Sequence, residues 1–123
     1  MKRYYDTGEL LSEAEYAGDL LHGTSRFYAK SGQIVSEAFY VEGKKEGKAH
    51  QYYTSGKLYS EQRFVEGFYH GEQRYFYENG QLKTVLEYFN GKLHGRVELY
   101  EPGGSVKRKL EFKQGELVNE KIS

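Results

Sequence analysis

The 123 residues predict an all-β chain, an elongated single-layer antiparallel β-meander built of five 24-residue hairpin repeats. Three observations carry that expectation. Glycine recurs at a fixed step: Gly8, Gly32, Gly56, Gly80 and Gly104 stand 24 residues apart, as do Gly23, Gly47, Gly71 and Gly95. A third set, Gly18, Gly43, Gly67, Gly91 and Gly115, keeps the step except at its first member, which is displaced by one residue. Aromatic and aliphatic residues share the period, in the series Tyr4, Tyr28, Tyr52, Phe76, Tyr100, then Tyr16, Tyr40, Phe64, Tyr88, Phe112, and Leu10, Ile34, Leu58, Leu82, Val106. Finally, the apolar residues, counted with glycine and without tyrosine, make up about 39% of the chain, short of the roughly 45 to 50% of ordinary globular chains, which makes a thick two-layer core doubtful. Stability in such a chain comes from stacking unit on unit.

The repeat divides the chain into units 4–27, 28–51, 52–75, 76–99 and 100–123, a single repeat domain over 1–123 with no linker or second domain. Between Gly8 and Gly115 no glycine-free stretch exceeds ten residues. Helices average about 11 or 12 residues and lose about 1 kcal/mol for each internal glycine, so helices are excluded throughout. In each unit the segment after the first glycine, such as Gln33 to Tyr40, is rich in strand formers and predicts an outgoing strand of about eight residues. The glycine pair that follows, Gly43 and Gly47 or Gly67 and Gly71, predicts the hairpin turn, and a run such as Gln73 to Tyr77 the return strand. Asn79-Gly80 and Asn90-Gly91 supply residues that tolerate the positive φ of tight turns. About ten strands result.

Strand alternation assigns faces if the aromatic eight places after the first glycine lies opposite the residue fourteen places after it. All even positions then share one face and all odd positions the other. The even face collects ten aromatics, Tyr4 to Phe112, with the aliphatic column Leu10 to Val106. The odd face varies between units, through Leu11, Val35, Tyr59, Lys83 and Lys107 and through Phe27, Gln51, Tyr75, Leu99 and Ser123. A position that varies is not required by the repeat geometry, so specificity is expected on the odd face.

The segment Phe76-Tyr77-Glu78-Asn79-Gly80-Gln81-Leu82-Lys83, followed by Tyr88-Phe89-Asn90-Gly91-Lys92-Leu93-His94-Gly95, resembles the variant MORN repeat (membrane occupation and recognition nexus), and the resemblance extends over the whole chain. Departures are local. Ala29 and Glu101 replace the second aromatic of the leading pair, Glu46 replaces the histidine before the third glycine, and Val118-Asn119 replace the His-Gly pair at the end. The resemblance implies a twisted single-layer sheet of consecutive hairpins and binding rather than catalysis. Many bacterial chains of this variant repeat are classed as antitoxin-like or immunity-like proteins, while other MORN proteins are scaffolds, dimerisation modules or membrane-associated organisers.

Composition narrows the chemistry. Eighteen Lys and Arg balance eighteen Asp and Glu, which argues against holding nucleic acid or an acidic membrane by a basic excess. There is no cysteine for disulfides, thiolate catalysis or the commonest zinc sites. No apolar run reaches the ~18 residues of a membrane span, and the first residues lack a signal-peptide stretch, so the expectation is a soluble, cytoplasmic chain with no cofactor. No phosphate-binding glycine loop occurs. His22, His70 and His94 occupy one repeat position, whose consecutive copies stand roughly 10 Å apart at ~4.8 Å per strand, too far to share a metal, and are better explained as turn-flanking residues. Glu13, Glu37 and Glu61 follow the same logic and are expected to be solvated ladder residues; His50 belongs to no motif.

Two surfaces remain as candidates. Unit one carries Asp6, Glu9, Glu13, Glu15 and Asp19 against Arg26 alone, an acidic patch suited to a basic partner such as a nuclease toxin. Phe27, Phe39, Tyr59 and Tyr75, with Tyr53 and Tyr77 near the turns, are the candidate partner-binding aromatics, because aromatic anchors are enriched at binding hot spots. The expected function is a non-enzymatic protein-binding module that blocks a partner protein, possibly a toxin, through one face of the sheet. The alternative is a structural scaffold or homodimerisation module using the same face.

Overall fold

The computed structural model describes residues 1–121, so Ser123 lies outside the described residues. The strands are β1 (Lys2–Tyr4), β2 (Leu10–Ala17), β3 (Leu20–Tyr28), β4 (Ile34–Val41), β5 (Lys44–Tyr52), β6 (Leu58–Val65), β7 (Phe68–Tyr69), β8 (Gly71–Phe76), β9 (Leu82–Phe89), β10 (Lys92–Tyr100), β11 (Val106–Lys113) and β12 (Glu116–Lys121). They form one open antiparallel sheet in which each strand follows its sequence neighbour, β7 and β8 both pairing with β6. The meander of five hairpins is therefore observed, with β1 added at one edge and one return strand divided in two.

The hairpins turn on two residues. Glu42-Gly43 has φ of 48° and 84°, and Glu66-Gly67, Asn90-Gly91 and Gln114-Gly115 repeat the doubly positive pattern, as type I′ turns require. In the first hairpin the positive φ falls on Gly18, at 64°, ahead of Asp19. The displaced glycine thus marks a turn with glycine at the first central position instead of the second. Gly47, expected in the turn, lies within β5. There Tyr40 faces Lys45 while Ala38 faces Ala49, so the residues between them bulge out of register.

This geometry overturns the even and odd faces. A two-residue turn pairs Val41 with Lys44, and the ladder continues as Ala38 with Ala49 and Ser36 with Gln51, an even residue always facing an odd one. Side chains directly opposite share a face. One continuous row therefore reads Ser12, Phe27, Ser36, Gln51, Ser60, Tyr75, Thr84, Leu99 and Arg108. We call its side the trough face. The next row, Lys2, Glu13, Arg26, Glu37, His50, Glu61, Arg74, Val85, Glu98, Lys109 and Lys121, lies on the opposite, ladder face. The ten aromatics assigned to one face divide between two: Tyr16, Tyr40, Phe64, Tyr88 and Phe112 share the trough face, and Tyr4, Tyr28, Tyr52, Phe76 and Tyr100 the ladder face.

A second, single-residue bulge occurs where Phe27 pairs with Ser36 but Tyr28 with Ile34, leaving Val35 without a partner. Its equivalents are Leu11, Tyr59, Lys83 and Lys107, and being unpaired explains their variability.

The core is thin. Ser12, Ser25, Ala49, Ser60, Gln62, Phe64, Gln73 and Val97 are buried on the trough face and Val85 on the ladder face. Small residues disappear beneath larger neighbours, while Phe64 packs on Tyr69 at 4.9 Å and Tyr69 on Tyr88 at 5.0 Å between ring centres. Phe64 and Tyr88 are thus linked through Tyr69.

Candidate interaction faces

Along the trough face the row Ala14, Ser25, Ala38 and Ala49 is small from β2 to β5, then gives way to Gln62, Gln73, Leu86, Val97 and Leu110. The small residues floor two adjoining hollows of about 150 and 100 Å³, both lined by Ser25, Phe27 and Tyr40. Arg3 borders one and Lys45 the other. Glu13 and Glu37 belong to the ladder row, although Glu37 and His50 also border the smaller hollow. Phe27 is 49% exposed on the wall of this trough.

Further along, Tyr53, Tyr59 and Tyr75 meet edge to face, with centroids 5.1 and 5.7 Å apart. The Gln62 amide donates to the hydroxyls of Tyr69 and Tyr75 at 3.3 and 3.1 Å. Tyr53 donates to the Phe76 carbonyl at 2.6 Å and Tyr77 to the Tyr100 carbonyl at 2.7 Å, as Tyr5 does to Tyr28. Burial raises the Tyr53 phenol above its ordinary range, with smaller contributions from Tyr59, Glu78 and Tyr77. These hydroxyls tie one unit to the next, a role that Ala29 and Glu101 lack the hydroxyl to perform.

The structure gathers three of the six candidate aromatics into one cluster. Phe27 shares their face four strands away. Phe39 is 45% exposed but faces Thr24, one residue along β3 from the Ser25–Ala38 trough pair, and so occupies the ladder face. The expected single aromatic face is therefore corrected to two. The acidic patch does not form a compact cluster either. Asp6 and Glu9 lie in the loop before β2 and Asp19 in the turn after it, separated by an eight-residue strand, or roughly 25 Å at ~3.4 Å per residue. Glu13 is committed to the Tyr28 hydroxyl at 2.7 Å and to Arg26 at 3.7 Å. The hydroxyl of Thr7 holds the Glu9 carboxyl below its usual range.

The ladder face alternates in sign. Arg26 Nε lies 3.2 Å from Glu37, and His50 sits between Glu37 at 3.5 Å and Glu61 at 3.8 Å. Sequence reasoning missed these partners of His50 because both come from adjoining strands. Lys48 and Arg63 also approach Glu61, at 3.6 and 3.7 Å, so the carboxylates flanking the imidazole are already matched by bases. They are half-buried ladder residues, more paired than the sequence implied. Glu72 and Glu87 face one another, and Arg96 joins them at 2.6 and 3.5 Å while also holding Glu98 at 2.5 Å. A hollow of about 360 Å³ beside Arg96 and Glu98 is lined mainly by such charges. Among the described residues no group of His, Asp and Glu could hold a metal, and no helix is long and apolar enough to cross a membrane.

The histidines flanking the turns have a defined task. Nδ1 of His22, His70 and His94 accepts the backbone N–H of Glu42, Asn90 and Gln114, the first turn residue of the following unit. Glu46 substitutes with its carboxylate, accepting from Glu66 N at 3.1 Å. The second turn residue donates to the same preceding strand, Gly43 to Leu21 and Gly91 to Tyr69. The departure at Glu46 therefore preserves the hairpin geometry.

A family profile described as the MORN repeat variant matches residues 1–17, 21–42, 45–66, 69–90 and 93–114. No curated protein matches the chain. The profile's boundaries fall beside the two-residue turns, and its step follows the hairpins of the sheet. With most of its length matched in five consecutive repeats, the chain belongs to the MORN repeat variant family.

Proposed function

We propose that the chain is a non-enzymatic protein-binding module that blocks a partner protein, as an antitoxin or immunity protein does, by seating part of it on the trough face. MORN repeats are commonly protein- or membrane-binding modules. The observation that carries the reading is the small-residue trough of β2 to β5, walled by exposed Phe27 and continued by the Tyr53, Tyr59 and Tyr75 cluster. A concave floor of small residues with an aromatic wall gives a partner side chain somewhere to be desolvated. Arg3 and Lys45, one at the edge of each hollow, favour a partner surface with acidic margins. The acidic residues of unit one lie elsewhere and do not select it.

Co-expression with the product of the adjacent gene tests the reading. The expected result is co-purification and relief of that product's toxicity, both lost on Phe27→Asp while the thermal unfolding midpoint is kept. Absence of both a complex and a rescue would reject it.

A further inference from the structure

The two hollows of the trough are one pocket repeated. Ser12, Ala14, Tyr16 and Leu21 line the first, and Ser36, Ala38, Tyr40 and Lys45, each 24 places on, line the second. Phe27 and Tyr40 border both and form the ridge between them. The third copy is closed by the chain itself. Gln62 and Gln73 stand where the second has Ala38 and Ala49, and the Gln62 amide bonds the hydroxyls of Tyr69 and Tyr75. A partner therefore meets two equivalent sockets, one repeat apart, in a trough that Gln62 stops at one end.

Equivalent residues of consecutive units lie two strands apart, or about 9.6 Å at ~4.8 Å per strand. Few backbone conformations present side chains on one face at that step. An extended strand does so at about 6.8 and 13.6 Å. An α-helix repeats at about 10.5 Å but is ~10 to 12 Å across. The walls of the trough rise from rows four residues apart on a strand, as Ser36 and Tyr40 are on β4, about 13 Å between Cα atoms before side chains narrow it. Polyproline II has three residues per turn and rises ~3.1 Å per residue, so residues i and i+3 share a face about 9.3 Å apart. We infer that the trough holds a polyproline II segment of the partner running across the strands. Aliphatic side chains at i and i+3 enter the two sockets, and the prolines between them rest against Phe27.

This rests on the trough being the partner site and adds the form of what it seats. Hollows of about 150 and 100 Å³ suit single aliphatic side chains. Polyproline II makes no internal hydrogen bonds, so its carbonyls need donors from the surface that buries them. Gln51 supplies them beside the second socket: Ser60 donates to its Oε1 at 3.1 Å, which fixes the amide and leaves the Nε2 hydrogens for the segment. Arg3 borders the first socket and Lys45 the second, so acidic residues on either side of the segment are matched. Glu37, which also borders the second, is held by Arg26 at 3.2 Å. A segment already extended by its prolines loses little freedom on docking.

Titration of the isotope-labelled full chain with acetyl-Glu-Leu-Pro-Pro-Leu-Glu-amide, followed by NMR, tests the inference. The expected result is saturable binding with shifts concentrated around Ala14, Phe27 and Ala38. Inserting a third proline turns the second leucine off the shared face and should weaken binding about tenfold or more, as the loss of an anchor does. Ala14→Gln and Ala38→Gln, each filling one socket as Gln62 fills the third, should do the same with circular dichroism and thermal midpoint unchanged. If a variant fails to fold, the proline insertion decides, because it leaves the chain untouched. No saturation up to ~1 mM, equal affinity for the two peptides, or full binding by a folded Ala38→Gln chain would overturn the inference. Failure of the peptide while the adjacent gene product still co-purifies rejects the inference and leaves the blocking role standing. A bound peptide with neither complex nor rescue does the reverse.

Discussion

Gln73 shows how much one side chain contributes to a sheet this thin. It is 1% exposed, receives Arg63 N–H at Oε1 at 2.7 Å and donates from Nε2 to Arg63 O at 3.0 Å. The amide thus replaces a missing ladder partner at a bulge. Gln73→Leu should leave Arg63 N–H without an acceptor, while Arg63 O keeps the His70 N–H at 3.0 Å, and cost about 1 to 3 kcal/mol in urea unfolding, as one buried unpaired group does. Nothing in the periodicity announced this, because the equivalent residues Ser25, Ala49 and Val97 cannot reach. Glu72 sets a pH dependence. Burial raises its carboxyl, but bonds from Arg74 and Arg96 outweigh this and hold it below the ordinary range. A carboxyl depressed in the folded state contributes stability above its unfolded value of about 4.3 and loses it as pH falls through the lower folded value. Glu72→Gln should therefore cost more at pH 6 than at pH 3, and unfolding curves of both proteins across that interval measure the difference.

Strands, turns and the five-fold period were legible because glycine reports positive φ directly, and Gly43 and Gly91 both adopt it. Facing was not legible. Whether Gly47 belongs to the turn or to a bulge alters the pairing of Tyr40, yet the same glycine serves either arrangement. Tyr53, Tyr59 and Tyr75 could be picked as variable aromatics, but their meeting depends on the unpaired position of Tyr59, which alternation alone does not reveal. The histidines were legible as turn neighbours. Their bonds were not, since His70 and Asn90 are 20 residues apart. His70→Ala should remove the acceptor for Asn90 N–H and raise hydrogen exchange in the Asn90-Gly91 turn about five- to tenfold, consistent with about 1 kcal/mol for one hydrogen bond. The turn at Glu42-Gly43, held by His22, should be unchanged.

Across the whole molecule each strand touches little beyond its immediate neighbours, so stability is distributed along the array and does not reside in one centre. Ala49, Ser60, Gln62, Phe64, Gln73 and Val85 concentrate burial between β5 and β9, whereas every residue of β12 is exposed. Native-state hydrogen exchange should show protection rising from β1 to β6 and falling toward β12. Uniform protection across all strands would instead mean that the sheet opens as one cooperative unit. The turn contacts also give the array a direction. The turns at Glu42, Glu66, Asn90 and Gln114 are each held by the preceding unit, while the one at Gly18 is of a different type. As the chain leaves the ribosome, each new hairpin thus emerges beside the template that will shape it, so growth proceeds with the order of translation.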